Sequence, residues 1–318
     1  MVLLKSDPAR LFAALRSAWW ALALLVPLWG LFYACNAAAW QLLTAGGGGR
    51  LPFARALAIT VSVFALNYVT PFLSFGGEPI KVLAATPWIG SRRAVASVVA
   101  FRLLHALSHV LTNLLALLPA LWLLPPTPTV ALSAAVLAVA LLAAALFLLS
   151  RHREGVCVHT LTLLERVPLL SRLVRRLRPE VEVLHELDAH VTAVRGSAPK
   201  RFGLALAIEL TGRVLAASEF TLILWALGHG FHPLTGFVAG SFSSLVVNLL
   251  IFLPFELGSK EGGLYLIFQL LGFDPVIGVQ TALLSRVREL VWVVFGLVVL
   301  ALSGESTAHA GGAARRVG

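Results

Sequence analysis

Charge is what this sequence has least of. Only 13% of its 318 residues are Asp, Glu, Lys or Arg, against 58% hydrophobic residues, whereas a soluble domain carries roughly 25% charged residues. A water-exposed globule is excluded by that ratio. Cysteine is nearly absent as well. Cys35 in an apolar run and Cys157 in a basic segment offer neither a disulfide framework nor a cysteine metal cluster. The glycine run "GGGGR" (46–50) lacks the Gly-Lys-Ser/Thr ending of a phosphate-cradling loop and reads as a flexible turn. "HALSH" (105–109) lacks the glutamate of a zinc-protease helix, and neither a nucleophile elbow nor a dinucleotide glycine fingerprint is present. No metal, cofactor or catalytic residue is expected.

What the chain does have is apolar length. Mean hydropathy is +0.88, and runs near the ~20 residues that cross a bilayer predict helices at about 18–43, 54–73, 94–122, 129–150, 202–227, 234–255 and 276–303. The reading is an all-α polytopic membrane protein, one integral domain over 1–318 with about seven or eight crossings. The first run, "SAWWALALLVPLWGLFYACNAAAW", is too long for a cleaved signal peptide, and "LFYAC" makes a poor lipoprotein box, so a retained helix is expected.

The net charge of +10 would suggest nucleic acid in a soluble protein. In a membrane protein it sets orientation, because Lys and Arg collect in cytoplasmic loops, and no nucleic-acid partner is expected. Ten of the 25 basic residues fall between Arg151 and Arg201. That segment, the N-terminus (Lys5, Arg10, Arg16) and the 74–93 loop (Lys81, Arg92, Arg93) are assigned to the cytoplasm. The turns "PPTP" (125–128) and "GHGFHP" (228–233) carry no Lys or Arg and are assigned outside. Seven crossings leave the tail with Arg315 and Arg316 outside, against the rule. Within the basic segment, 165–178 alternates apolar residues with Arg172, Arg175, Arg176 and Arg178. It is either an amphipathic helix on an anionic lipid surface or a plain connection that obeys the charge rule.

One phrase occurs twice. "PFLSFGGEP" (71–79) and "PFELGSKEG" (254–262) both open Pro-Phe and both set a glutamate seven residues after the proline, Glu78 and Glu261. Asn67 and Asn248 precede them, and Arg102 and Arg286 follow at 24 and 25 residues. Three residues beyond each arginine stands a polar group, His105 or Glu289. This spacing predicts an internal repeat, about 54–122 and 234–303. Pro71 and Pro254 interrupt a helix, and Gly77 and Gly258 allow a sharp turn. "IKVLAATPWIG" and "GLYLIFQLLG" are too short to span and read as re-entrant segments. Seven crossings make the repeats parallel; one more or fewer inverts them.

Charges inside the apolar runs complete the pattern. Arg102, His105 and His109 share one helix face, Glu209 and Arg213 stand four apart beside Glu219, and Arg286, Arg288 and Glu289 sit on the last run. Each charge costs ~2.5–3.5 kcal/mol at a membrane-helix centre, so they should point inward and pair. Glu209–Arg213 is either part of a polar pathway or a satisfied intrahelical pair. Arg288 and Glu289 are placed near a helix end.

These residues resemble the transmembrane region of lysylphosphatidylglycerol synthases, a flippase-like family. "NYVTPFLSFGGEPIK" carries Asn67, Pro71, Gly77, Glu78 and Lys81; "FRLLH" carries Arg102; and "PFELGSKEGG…ALLSRVREL" carries Pro254, Gly258, Glu261 and Arg286. Lys81 stands where the family usually has arginine. The double glycine and the "ALLSRVREL" ending look most like the hopanoid-associated branch. The resemblance implies handling or movement of lipid in a bacterial cytoplasmic membrane, and the short tail after the last run leaves no room for synthase chemistry. The substrate-binding candidates are Asn67, Pro71, Gly77, Glu78, Lys81, Arg102, His105, Glu209, Arg213, Pro254, Gly258, Glu261, Arg286 and Glu289. Glu78, Arg102, Glu261 and Arg286 are expected to line a polar cavity where arginines hold an anionic headgroup or carboxylates a cationic one. Two alternatives stand beside transport: a membrane transferase with Glu78 or His105 as base, and a scaffold that binds a lipid-synthesis enzyme through 156–200.

Overall fold

The structure, a computed structural model, describes residues 16–45, 49–70, 77–150, 199–249 and 258–314. Pro71, Pro254, the basic segment up to residue 198 and Arg315–Arg316 lie outside the described residues. The described residues form helices and no strand. In chain order these are α1 (Leu22–Thr44, after one 3-10 turn), α2 (Phe53–Val69), α3 (Gly77–Ile89), α4 (Ser91–Leu123), α5 (Pro128–Ser150), α6 (Pro199–Ala226), α7 (Pro233–Leu249), α8 (Ser259–Leu270) and α9 (Pro275–Ala314). The protein is a helical membrane protein. Arg16–Thr44, Ser91–Leu123 and Pro128–Leu149 have the length and hydropathy to cross a bilayer, and Phe53–Val69 is apolar but shorter. Large apolar side chains stand exposed along the bundle's outside, among them Leu118 (70%), Val139 (68%) and Val294 (62%), where hydrocarbon rather than water is the natural solvent.

Contacts fix the direction of each helix. Trp20 packs on Trp225, Trp29 donates to Glu219, Cys35 lies against Gly212, and Arg201 reaches the Ala45 carbonyl. As numbers rise along α1 they fall along α6, so the two run antiparallel. Arg93, at the start of α4, donates to the carbonyls of Thr44 and Gly49, so α4 starts on the face where α1 ends. We call this the basic face.

Between α1 and α4 the described chain leaves the basic face and comes back to it. From the basic face α2 runs inward for 17 residues, about 25 Å at 1.5 Å per residue. The Asn67 Oδ1 near its end accepts the Gly77 N–H at 2.9 Å, and α3 then returns, with Trp88 and Ile89 beside Gly49. A Cβ on Gly77 would lie 2.6 Å from Val63 Cγ1, which explains a glycine where α3 passes α2. The pair α7–α8 repeats the plan from the opposite face. There Gly236 abuts Thr221 at the start of α7, Gly263 packs on Val246, and Gly278 on α9 meets Leu264. The turns from short to long helix match as well, through Gly90 (φ +80°) and Gly272 (φ +80°), a backbone region favouring glycine.

The long helices interlock around these hairpins. α9 packs most heavily on α2 and α8, α4 on α5, α3 and α7, and α6 on α1 and α7. Small residues let backbones approach, as membrane helix packing favours: a Cβ on Gly296 would lie 2.5 Å from the Val61 carbonyl. Because α1 and α6 are antiparallel, as are α2 and α9, the two halves are oppositely directed, unlike the parallel arrangement a count of seven crossings gave. The basic groups also separate. Arg16 opens the span Arg16–Thr44, whose other end meets Arg93, so Arg16 and Arg93 lie at opposite ends of it and not on the one face the sequence reading gave them.

Candidate functional site

A cavity of about 370 Å³ opens between the inner ends of the two helix pairs, α2–α3 and α7–α8. Its wall includes Asn67 from α2, Glu78 and Lys81 from α3, Arg102, His105 and His109 from α4, and Arg213 and Glu219 from α6. Ser241, Ser244 and Asn248 from α7, Lys260 from α8, and Arg288 and Glu289 from α9 complete the polar part. Trp29, Phe32, Tyr33, Phe64 and Phe101 supply much of the apolar part.

Two corresponding ion pairs stand at the tips. Arg102 Nη2 lies 2.7 Å from Glu78 Oε1, and Arg286 Nε donates to Glu261 Oε1 at 2.5 Å. Each arginine is the twelfth residue of its long helix, and each glutamate lies in the first turn of its short helix, where a carboxylate favours the free N–H groups. Glu261 also accepts the Gly258 N–H at 3.0 Å. The pairs differ in exposure. Side-chain exposure is 41% and 19% for Arg102 and Glu78 but 14% and 7% for Arg286 and Glu261. Glu78 and Arg102 line the cavity, whereas Glu261 and Arg286, read from the sequence as lining it too, pair outside its wall.

A second network joins α4 to α6. His105 Nδ1 lies 2.6 Å from Glu209 Oε1, and Arg213 Nη2 lies 2.9 Å from His105 Nε2. Arg213 can only donate, and the same Nη2 lies 3.1 Å from His105 Nδ1, so the guanidinium covers both ring nitrogens. Arg213 also donates to Ser108 Oγ at 2.9 Å and to His109 Nδ1 at 3.1 Å. Glu209 and Arg213, read from the sequence as either part of a polar pathway or an intrahelical pair, stand 3.6 Å apart, while the shorter contacts of both run to α4. Glu209 is fully buried behind the cavity wall.

A third network joins α1, α6, α8 and α9. Arg288 grips Glu219 with Nη2 at 2.9 and 2.8 Å and with Nε at 3.1 Å. Its guanidinium lies 3.5 Å from the Trp29 ring centroid, and Trp29 Nε1 donates to Glu219 at 3.0 Å. Lys260 donates to Glu289. Sequence reading put Arg288 and Glu289 near a helix end. They sit instead well inside α9, 1% and 7% exposed, because that helix begins eleven residues before Arg286. Lys260, Glu219, Arg288 and Trp29 were not among the sequence-derived site residues. Their partners lie 29 to 190 residues away, a distance no local spacing reports.

The buried cations Arg213 on α6, Lys260 on α8 and Arg288 on α9 thus each have a carboxylate or histidine partner, as charges removed from water require. The assembly is a polar chamber inside an apolar bundle, its walls held by ion pairs that join hairpin tips to long helices.

Comparison with curated proteins and with solved structures gives no match. The family model described as the lysylphosphatidylglycerol synthase TM region matches residues 1–297. It describes membrane proteins tied to lipid metabolism or flipping, and it spans both hairpins and all three charge networks. By that match the chain belongs to the lysylphosphatidylglycerol synthase transmembrane-region family.

Proposed function

We propose that the protein is a flippase-like transporter that carries a lipid or lipid-linked headgroup across the bacterial cytoplasmic membrane. One observation carries this reading: a polar cavity lies between two hairpins that enter the bundle from opposite faces. Non-spanning backbone at membrane depth is tolerable only when buried in protein or lining a wet cavity. Oppositely directed halves meeting at a midplane site are the architecture by which transporters alternate access. Corresponding ion pairs, Glu78–Arg102 and Glu261–Arg286, support an origin of the halves by inverted duplication, with α1 and α6 joining the repeats read as 54–122 and 234–303.

Sidedness follows from charge. The basic face gathers Arg50, Arg55, Arg92, Arg93, Lys200 and Arg201, whereas the opposite turns, 124–127, 227–232 and 271–274, contain no Lys or Arg. By the positive-inside rule the basic face is cytoplasmic. The chain then makes five full crossings (α1, α4, α5, α6 and α9), α1 starts outside, and α9 ends inside. Both ends of the basic segment leave from the cytoplasmic face, which suits a 165–178 helix resting on anionic headgroups. The double glycine before Glu78 and the "ALLSRVREL" stretch support the hopanoid-associated branch.

The test is reconstitution. Purified protein in liposomes carrying a headgroup-labelled fluorescent lipid should speed its appearance in the other leaflet, read by a membrane-impermeant quencher. A rate equal to that of protein-free liposomes, across anionic, zwitterionic and cationic headgroups, would reject transport.

A further inference from the structure

Lys81 breaks the pairing rule that the rest of the chamber obeys. It is 4% exposed and lines the cavity, yet no carboxylate oxygen among the described residues lies within 4.0 Å of its Nζ. Glu78, one turn earlier on α3, meets Arg102 through Oε1 instead, and its buried Oε2 has no hydrogen-bond partner. The ammonium of Lys81 rests between two ring faces, 4.3 Å from the Trp40 centroid and 4.0 Å from that of Phe101. Trp40 is itself fixed: it is fully buried, and its Nε1 donates to Ser97 Oγ at 3.2 Å.

Ring faces offset part of the desolvation of a cation, but they supply no acceptor for its N–H donors, of which an ammonium has three. A buried charge without a counterion is the costly arrangement, and an anion entering the chamber would relieve it. The four other cations of the cavity wall, Arg102, Arg213, Lys260 and Arg288, are held by carboxylates or histidines. An incoming anion can therefore engage Lys81 without first breaking an ion pair.

Building on the transport reading, we propose that Lys81 selects the substrate's charge class. It anchors one phosphodiester oxygen; a zwitterionic headgroup offers the same oxygen but brings a cation that leaves the extra positive charge of Lys81 uncompensated, so the chamber prefers a headgroup with a single net negative charge. The Trp40–Phe101 box keeps the ammonium aimed at the cavity. A free phosphate ester shares this chemistry, and the test separates the two sources.

Binding is measured on the purified full-length protein in an uncharged detergent. Three probes are titrated: a dioctanoyl lipid with a phosphoglycerol headgroup, its phosphocholine counterpart, and inorganic phosphate. Wild type should bind the phosphoglycerol lipid at least about tenfold more tightly than the phosphocholine lipid, and inorganic phosphate should not displace it at equal concentration. Lys81→Met should bring the two lipids to within about twofold, while Lys81→Arg keeps the preference. Equal binding of both lipids by wild type overturns the proposal, even if Lys81→Met fails to fold. An undiminished preference in folded Lys81→Met overturns the role of Lys81. Displacement by inorganic phosphate overturns the lipid assignment. Transport in liposomes without a charge preference would sink this inference alone; no transport with any headgroup would sink the functional reading instead.

Discussion

Arg286 reaches back across the α8–α9 turn to clamp Glu261, Nε to Oε1 at 2.5 Å and Nη2 to Oε2 at 3.3 Å. The clamp ties the tip of the second hairpin to the helix that packs on the first. Tyr68, near the end of α2, hydrogen-bonds the same guanidinium, so one arginine joins both hairpins. A ligand that opens either contact changes how the two halves meet.

That geometry makes the Glu261–Arg286 pair a stability element as well as a candidate gate. Arg286→Ala strands a carboxylate with 7% side-chain exposure and should cost about 3–5 kcal/mol. The double variant Glu261→Ala/Arg286→Ala should cost distinctly less, since no charge is left unpaired. Thermal unfolding in detergent checks the order, and the double variant, although folded, should lose lipid translocation.

The first hairpin should behave differently. Arg102 is 41% exposed, so its pair with Glu78 is worth only about 0–1 kcal/mol. Glu78→Gln should leave unfolding nearly unchanged yet slow translocation. A large loss of stability would show that the two tips are energetically equivalent after all.

Packing of α9 on α2 gives a third expectation. A methyl on Gly296 would sit 2.5 Å from the Val61 carbonyl and 2.7 Å from Ala65 Cβ. Gly296→Ala should therefore force the helices apart and cost about 1–3 kcal/mol. Gly203, whose Cβ would meet nothing within 4 Å, is the control, and Gly203→Ala should be neutral or stabilising. The melting temperatures of the two variants decide.

Topology can be read with single cysteines. In a background with Cys35 and Cys157 replaced by serine, Ser91→Cys should react only from the cytoplasmic side. Ser17→Cys and Thr127→Cys should react only from the outside. The parallel arrangement places Ser17 and Ser91 together, so impermeant thiol reagents on intact cells discriminate between the two.

By composition alone the sequence determined the solvent and the class: a chain with this little charge and this much apolar length belongs in hydrocarbon as helices. Repetition of proline, glutamate and arginine at matching intervals singled out Glu78, Arg102, Glu261 and Arg286; that each glutamate meets the arginine of its own half, across one short helix and one turn, came from the structure. Direction was decided only in three dimensions. A 17-residue apolar helix such as α2 or α7 suits either a thin crossing or half of a hairpin, and that choice sets whether the halves run parallel or opposed. Long-range pairing waited on the same step. Glu219 finds Arg288, and Glu289 finds Lys260, only once α6, α8 and α9 surround a common chamber. Lys81 is placed by the same step: the fold brings two rings to its ammonium while neighbouring Glu78 pairs with Arg102.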